Sequence, residues 1–273
     1  ASVPEIVFGA NATTLNAHVG GALLRSFPRG SNILVSAMDH DANAGMWSTL
    51  AARHDNIQVR VIPLSADGGI DPNDVVVDSD TRLVCVGLAS NALGTVNDVK
   101  KICDIARSAG ALSYVDGVHA APHIRIDVKE IGCDFAVVSP YKFFGPHLGV
   151  LFGKESILSS LDVDKNQVSD DRLPCRENCY MSRMETGTQQ FENIAGAASA
   201  VGYIATLGKE WGGLHSGKGT RSQKIEAGYA VIAYHENQLK RAFLKGVERI
   251  KGVSVLGITS YGDDDLTRRT STF

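Results

Sequence analysis

Short apolar runs alternate along the first half of the chain with segments in which apolar residues recur every three or four positions. The runs predict buried strands, and the second pattern predicts helices that cover them. The predicted strands are residues 6–8, 33–35, 83–88, 112–115, 135–138 and 149–152, and the predicted helices are residues 15–24, 43–53, 99–106, 193–207 and 225–250. This order indicates an α/β fold, a three-layer sandwich with a mostly parallel central sheet.

The pattern changes in the last third of the chain. A stretch rich in glycine, residues 211–219, is typical of a hinge. After the long helix, residues 253–256 and 269–273 are predicted to be strands of a second, smaller domain. We therefore predict a large domain over residues 1–212, followed over residues 213–273 by a linker helix and the start of a smaller α+β domain.

Composition narrows the possible partners. The 273 residues are 44% hydrophobic with net charge −3, so the chain can bury a sizeable core. Scattered lysines and arginines argue against a nucleic-acid partner, and no apolar run is long enough to span a membrane. We expect a soluble cytoplasmic protein, although a start at Ala1 leaves organellar targeting open.

The cysteine pattern favours a reducing compartment. The five cysteines are an odd number and lie mostly in apolar segments, which does not suit a disulfide framework. Cys175 and Cys179 have a spacing compatible with half of a metal site, but no second Cys or His pair lies near them. We assign no metal site.

Polar segments follow five of the predicted strands. Because the carboxyl ends of parallel strands meet at one edge of a sheet, these segments are expected to converge on a ligand pocket. They are residues 11–13, 39–41, 90–91, 116–119 and 139–142.

The residue types in these segments suit pyridoxal phosphate. The start of the first helix supplies N–H donors for a phosphate, and Thr13 adds a hydroxyl. Asp116 suits the nitrogen of a pyridine ring, His119 its phenolic oxygen, and Lys142 a Schiff base with the aldehyde. A nucleotide-binding domain is disfavoured, because no Gly-x-Gly-x-x-Gly turn or P-loop follows the first strand.

Several of these motifs occur together, in the same order, in one known family. They are residues 39–43, 90–95, 115–119, 139–142 and 183–188. In them the chain resembles the class V aminotransferases of pyridoxal-phosphate fold type I, and most closely the cysteine desulfurase-like proteins. The resemblance runs from the strand at Ile6 to the end of the chain.

The resemblance implies a role for each matching position. Lys142 matches the Schiff-base lysine, Asp116 the partner of the ring nitrogen, and His119 the contact to the phenolic oxygen. Asn91 matches a residue that approaches the substrate carboxylate and the ring. The implied phosphate contacts are Asn11, Ala12, Thr13, Ser139, Tyr141 and, from the second subunit of a homodimer, Thr188.

Two departures from the family pattern stand out. Desulfurases stack a His on the cofactor ring where this chain has Asp41, which cannot stack. Neighbouring His40 is one candidate for the stacking residue, and we do not assign it. Tyr141 replaces the His that precedes the lysine in desulfurases. Family members also begin before Ile6 and continue past Phe273 into a domain with a substrate-binding Arg and a persulfide Cys, so the chain looks like a fragment.

The resulting hypothesis is a pyridoxal-phosphate enzyme acting on a small amino acid, as a cysteine desulfurase or selenocysteine lyase. Transamination and epimerisation remain alternatives. A truncated, non-catalytic scaffold of the same fold is an alternative of another class. A sulfur-acceptor protein is the expected partner of a desulfurase.

Overall fold

The computed structural model describes residues 1–54, 56–164, 184–214 and 219–273. One sheet contains the strands β1 (Ile6–Gly9), β2 (Asn32–Ser36), β3 (Gln58–Ile62), β4 (Thr81–Gly87), β5 (Leu112–Asp116), β6 (Phe135–Val138) and β7 (Gly149–Gly153). The helices of the described part are α1 (Ala12–Ser26), α2 (Ala44–Ala51), α3 (Val99–Ser108), α4 (Val128–Ile131), α5 (Glu155–Leu158), α6 (Phe191–Trp211), α7 (Arg221–Val247) and α8 (Asp263–Thr267).

The sheet is mostly parallel, as predicted. Its spatial order is β1-β7-β6-β5-β4-β2-β3. The strands from β6 to β3 pair in parallel, and β7 is antiparallel to both of its neighbours. The carboxyl ends of the parallel strands and of β1 therefore lie at the same edge of the sheet as the amino end of β7.

Two hydrophobic cores confirm the three-layer arrangement. Successive side chains of a strand point to opposite faces. In β4, Leu83 and Cys85 pack with α1 and α2 on one face, and Val84 and Val86 pack with α3 on the other. Burial on both faces explains why the central strands are continuous apolar runs.

The two strands predicted near the end of the chain are wrong. Residues 253–256 are mostly exposed and form no strand. Residues 269–273 form only an isolated antiparallel bridge between Arg269 and Thr95, and the short helix α8 precedes them. A strand needs a neighbouring strand for its backbone hydrogen bonds, and the described part of the chain offers none to either segment.

The edge strand β3 was not predicted from the sequence. Its residues, Gln-Val-Arg-Val-Ile, alternate between polar and apolar types, and the strand is only partly buried. Alternation over five residues is the pattern of a half-exposed strand, and this pattern could have predicted β3.

The long helices α6 and α7 pack closely against each other at two glycines. A Cβ added to Gly208 would lie 1.9 Å from the Lys224 carbonyl oxygen, and one on Gly228 would lie 2.1 Å from that of Ile204. The predicted division of the chain between residues 212 and 213 stays a prediction. No helix within the described ranges is long and apolar enough to cross a membrane.

One further glycine brings β7 close to the start of α1. A Cβ on Gly149 would lie 2.5 Å from the carbonyl carbon of Asn11 and 2.6 Å from its oxygen. Both contacted atoms belong to the backbone of Asn11 at the start of α1 and cannot rotate away as a side chain can. A side chain at position 149 would therefore push α1 away from the sheet edge.

We expect Gly149→Ala to lower the free energy of unfolding by about 1–3 kcal/mol, the usual cost of overpacking. Gly202→Ala is the matched control, since nothing lies within 4 Å of its added Cβ. Within α6 that change should stabilise by about 0.5–1 kcal/mol. Urea unfolding followed by circular dichroism measures both, and equal effects would contradict the assigned clash.

Candidate active site

A cavity of about 300 Å³ lies at the carboxyl edge of the sheet, and all five predicted polar segments contribute to its lining. The residues predicted from the sequence that line it are Asn11, Ala12, Thr13, Asn91, Asp116, His119, Ser139, Tyr141 and Lys142. The convergence expected from strand topology is therefore present.

A strained turn carries Lys142 to the cavity. Ser139 is buried at the end of β6, and residues Pro140–Lys142 form a single 3₁₀ turn. The Gly145 N–H donates to the Pro140 carbonyl oxygen at 2.9 Å and closes the loop, while Phe144 takes the left-handed conformation with φ +67°. A non-glycine residue with this φ is uncommon and costs free energy, which fits a functional turn.

Asp116 is the acid at the end of β5. One of its carboxylate oxygens accepts a 2.8 Å hydrogen bond from the Val118 N–H. Burial raises the pKa of Asp116, and the Val118 N–H, His40 and Lys142 oppose that rise. A raised pKa means that the carboxylate lacks sufficient positive charge around it, so a cation at this point would be stabilised.

His119 lies on the turn after β5 and is neutral. Its Nε2 is 2.8 Å from the Thr272 Oγ1 and 3.2 Å from the Thr270 Oγ1. Burial lowers the pKa of His119 to about 4, and nearby His123 and Lys142 add to the effect. Because protonation then favours the unfolded chain, this residue makes the fold less stable as the pH falls from 6.5 through about 4.

The start of α1 has free N–H donors at the cavity. The Asn11 side chain accepts from the Thr14 N–H at 2.9 Å, and the Thr14 hydroxyl lies 3.2 Å from the Asn11 N–H. This cap satisfies Thr14 and leaves the amides of Ala12 and Thr13, which have no acceptor inside the helix. The Asn11 side chain thus holds the helix end, and the amides are the donors suited to an anion.

Asp39 also lines the cavity, and its role was not predicted from the sequence. Its Oδ1 accepts from the Ser36 hydroxyl at 2.6 Å and from the Gly87 N–H at 2.7 Å. Its Oδ2 accepts from the Asn43 side-chain amide at 2.6 Å. Burial raises the pKa of Asp39 to about 7 despite these donors. The carboxylate ties the ends of β2 and β4 to the start of α2.

The two residues considered for ring stacking occupy different places. His40 lines the cavity, and its Nδ1 accepts from the Ala42 N–H at 3.0 Å. Asp41 is exposed, and a Cβ on Gly45 would contact its carboxylate. Only His40 of the pair therefore borders the cavity, and a stacking role for it stays a prediction.

Thr188 is the predicted residue that does not line the cavity. It borders a separate polar recess together with Thr14, His18 and Thr186. Its expected contact reaches across from a second subunit, so its position stays a prediction. Cys175, Cys179 and Arg183 lie outside the described residues.

The residues present fit pyridoxal phosphate. Asp116 is a half-buried acid with a raised pKa that would gain from a protonated ring nitrogen, and Lys142 places an amine at the same cavity. The N-terminus of α1 favours a phosphate through its free amides and its dipole. Ala42, Ala89 and Val118 provide apolar surface for a ring.

Comparison with known proteins decides the family. The family model described as aminotransferase class-V matches residues 1–216 of the chain. The chain belongs to the class V aminotransferase family. Enzymes of this family depend on pyridoxal phosphate, in agreement with the donor set of the cavity.

Two curated relatives in this family are cysteine desulfurases by name. The cysteine desulfurase of Pectobacterium atrosepticum is 35% identical over 219 residues, which cover 77% of this chain and 54% of the relative. The probable cysteine desulfurase of Halalkalibacterium halodurans is 29% identical over 264 residues, covering 94% of this chain and 60% of the relative. The chain thus spans little more than half the length of either protein.

A solved structure shares the fold of this class V chain. The apo cysteine desulfurase of Thermococcus onnurineus NA1 superposes with a TM-score of 0.78 at 23% identity, covering 99% of this chain and 63% of that one. At this identity the likeness shows the fold, and the mostly parallel sheet agrees with it.

The hydrogen bonds of Asp39 lead to a prediction. We expect Asp39→Ala to lower the free energy of unfolding by about 2–4 kcal/mol, because three donors lose their acceptor. A raised pKa in the fold means that the acid's contribution is full below its ordinary pKa and declines as the pH rises through about 7. The difference from wild type should therefore be larger at pH 5 than at pH 8.

Exposed Asp41 supplies the control for this measurement. Asp41→Ala should change the free energy of unfolding by less than about 0.5 kcal/mol at either pH. Urea unfolding at pH 5 and pH 8 measures both variants. An equal loss in the two variants would show that the network around Asp39 does not stabilise the fold.

Proposed function

We propose that the chain forms the cofactor-binding part of a pyridoxal-phosphate enzyme that acts on a small amino acid, with cysteine desulfuration as its reaction. The observation that carries the proposal is the placement of Lys142 and half-buried Asp116 at one cavity beside the start of α1. The curated relatives, which are cysteine desulfurases by name, support the choice of reaction.

Each residue has a role that follows from its chemistry. Lys142 would hold the cofactor through its aldehyde carbon, and Asp116 would keep the proton on the ring nitrogen. The Ala12 and Thr13 amides, with the hydroxyls of Ser139 and Tyr141, would bind the phosphate. When bound, the cofactor supplies an electron sink for the electron pair at the substrate α-carbon.

His119 and Asn91 have further roles in the proposal, and Lys142 has a second one. Neutral His119 can donate one hydrogen bond to the phenolic oxygen without adding a positive charge beside Lys142. Lys142, once its amine is released by the substrate, can accept the proton of the α-carbon and return it. Asn91, on the loop after β4, lines the cavity and would approach the substrate carboxylate.

Desulfuration breaks the carbon–sulfur bond of cysteine. The sulfur passes as a neutral atom to an acceptor thiolate and forms a persulfide, while protonation of the carbon yields alanine. Transamination, the second candidate, would leave the carbon–sulfur bond intact and produce an oxo acid. The non-catalytic scaffold of the same fold predicts neither product and no cofactor binding.

The proposal extends to assembly and compartment. A homodimer is supported by the position of Thr188, which borders a separate polar recess and does not line the cavity of its own chain. A cytoplasmic location is supported by Cys85, Cys103 and Cys133, which are buried free thiols. A sulfur-acceptor protein is the partner proposed if the reaction is desulfuration.

Lys142 should be the residue that reacts with the cofactor. Incubation with pyridoxal phosphate and reduction with borohydride should label the peptide that contains Lys142, as mapped by mass spectrometry. Lys154 is the control, because its amine is 2.6 Å from the Asp134 carboxylate and lies outside the cavity lining. Labelling of Lys154 instead, or no label in a folded sample, would refute the cofactor site.

The reaction is tested on the full-length protein with L-cysteine and a reducing thiol. We expect alanine and sulfide in equal amounts, with neither formed by Lys142→Ala. Chromatography of the amino and oxo acids distinguishes the candidates. An oxo acid in place of alanine would establish transamination and exclude desulfuration, without affecting the cofactor assignment.

A further inference from the structure

A late segment of the chain contacts His119. The imidazole Nε2 lies between the hydroxyls of Thr270 and Thr272, at 3.2 and 2.8 Å, and the two hydroxyls are 3.3 Å apart. Thr270 is 1% exposed. The Nε2 atom of a cavity residue is therefore bonded by protein hydroxyls that come from about 150 residues later in the sequence.

Backbone pairing holds this segment on the loop after β4. The Thr270 N–H donates to the Gly94 carbonyl oxygen, and the Val96 N–H donates to that of Arg268, both at 2.8 Å. Gly94 has φ +76°, and a Cβ there would lie 2.8 Å from the Thr272 carbonyl oxygen. The fit depends on a glycine at this position, so the segment is seated closely.

Lys240 of α7 donates hydrogen bonds to the backbone of the same segment. Its side chain is 4% exposed, and its Nζ donates to the carbonyl oxygens of Leu266 and Arg269 at 2.7 and 2.9 Å. Burial lowers the pKa of Lys240 to about 8. A buried ammonium that caps two carbonyls fixes the backbone immediately before Thr270.

One turn earlier in α7, Glu236 contacts His123, the neighbour of His119. Its carboxylate oxygen is 2.7 Å from the Nδ1 of His123, and the His123 ring centroid is 5.5 Å from that of His119. Within the described ranges, Glu236, His123 and Lys142 are the charged or titratable groups that act on His119. Helix α7 thus contacts both the segment that bears Thr270 and the His123 side chain beside His119.

We propose that Thr270 and Thr272 are positioning residues for His119, held in place by Lys240, and that they fix its ring and exclude water from Nε2. The chain that follows α7 then controls a group of the cavity. The positioning itself stands on the contacts, while its importance for catalysis rests on the proposed function.

The test is the titration of His119, followed by NMR of the imidazole C–H resonances in the full chain without cofactor. In the wild type, half-protonation is expected near pH 4. Thr270→Ala/Thr272→Ala opens space for water at Nε2, so the pKa should rise toward 6.5 by at least about one unit. Thr270→Ser/Thr272→Ser keeps both hydroxyls and should restore the wild-type titration.

Two more variants complete the experiment. Thr267→Ala changes an exposed residue of α8 and should leave the titration of His119 unchanged. Lys240→Met should raise the pKa of His119 as the double alanine variant does, and it replaces that variant if the latter does not fold. Unchanged titration in a folded Lys240→Met or double alanine variant, or an equal shift in Thr267→Ala, would overturn the proposal.

Failure here is separate from failure of the proposed function. Labelling of Lys142 by the cofactor does not depend on the titration of His119, and the titration is measured without cofactor. A normal label with an unchanged titration would remove the positioning role alone. A shifted titration without any label would remove the proposed function and keep the positioning.

Discussion

The pairing of β4 with β5 is the constraint on which the cavity depends. Its register puts Gly87 beside Asp116, and the Gly87 N–H donates to the carboxylate of Asp39. Asp116 at the end of β5 and Asp39 in the turn after β2 are thereby held at one edge of the sheet. Because both faces of the sheet are buried by helices, the strand ends are the place where polar side chains can gather without disturbing a core.

The electrostatics of the cavity follow from that arrangement. Burial raises the pKa values of Asp39 and Asp116, and it lowers that of His119. Each shift disfavours the charged form, so the enclosed groups lack compensating charge. A ligand with a cationic ring nitrogen would place a positive charge beside Asp116. Its anionic phosphate would bind at the N-terminus of α1, where the helix dipole is positive.

The cavity also joins distant parts of the chain. The amides of α1 come from its beginning, and the hydroxyls on His119 come from residues 270 and 272. Helix α7 contacts the late segment through Lys240 and His123 through Glu236. Although the chain spans little more than half the length of its curated relatives, residues from both of its ends meet around one site.

The sequence by itself determined the layered α/β fold and most of the cavity. Apolar runs and helical periodicity record which faces are buried, and the parallel-sheet rule then places Asp116, His119 and Lys142 together. Only the tertiary structure decided which groups form hydrogen bonds with each other. These are the donors around Asp39, the hydroxyls that contact His119, and the backbone of residues 253–256, which does not pair as a strand. Periodicity describes the burial of a residue's own segment, whereas hydrogen-bond partners far away in the chain are selected by packing.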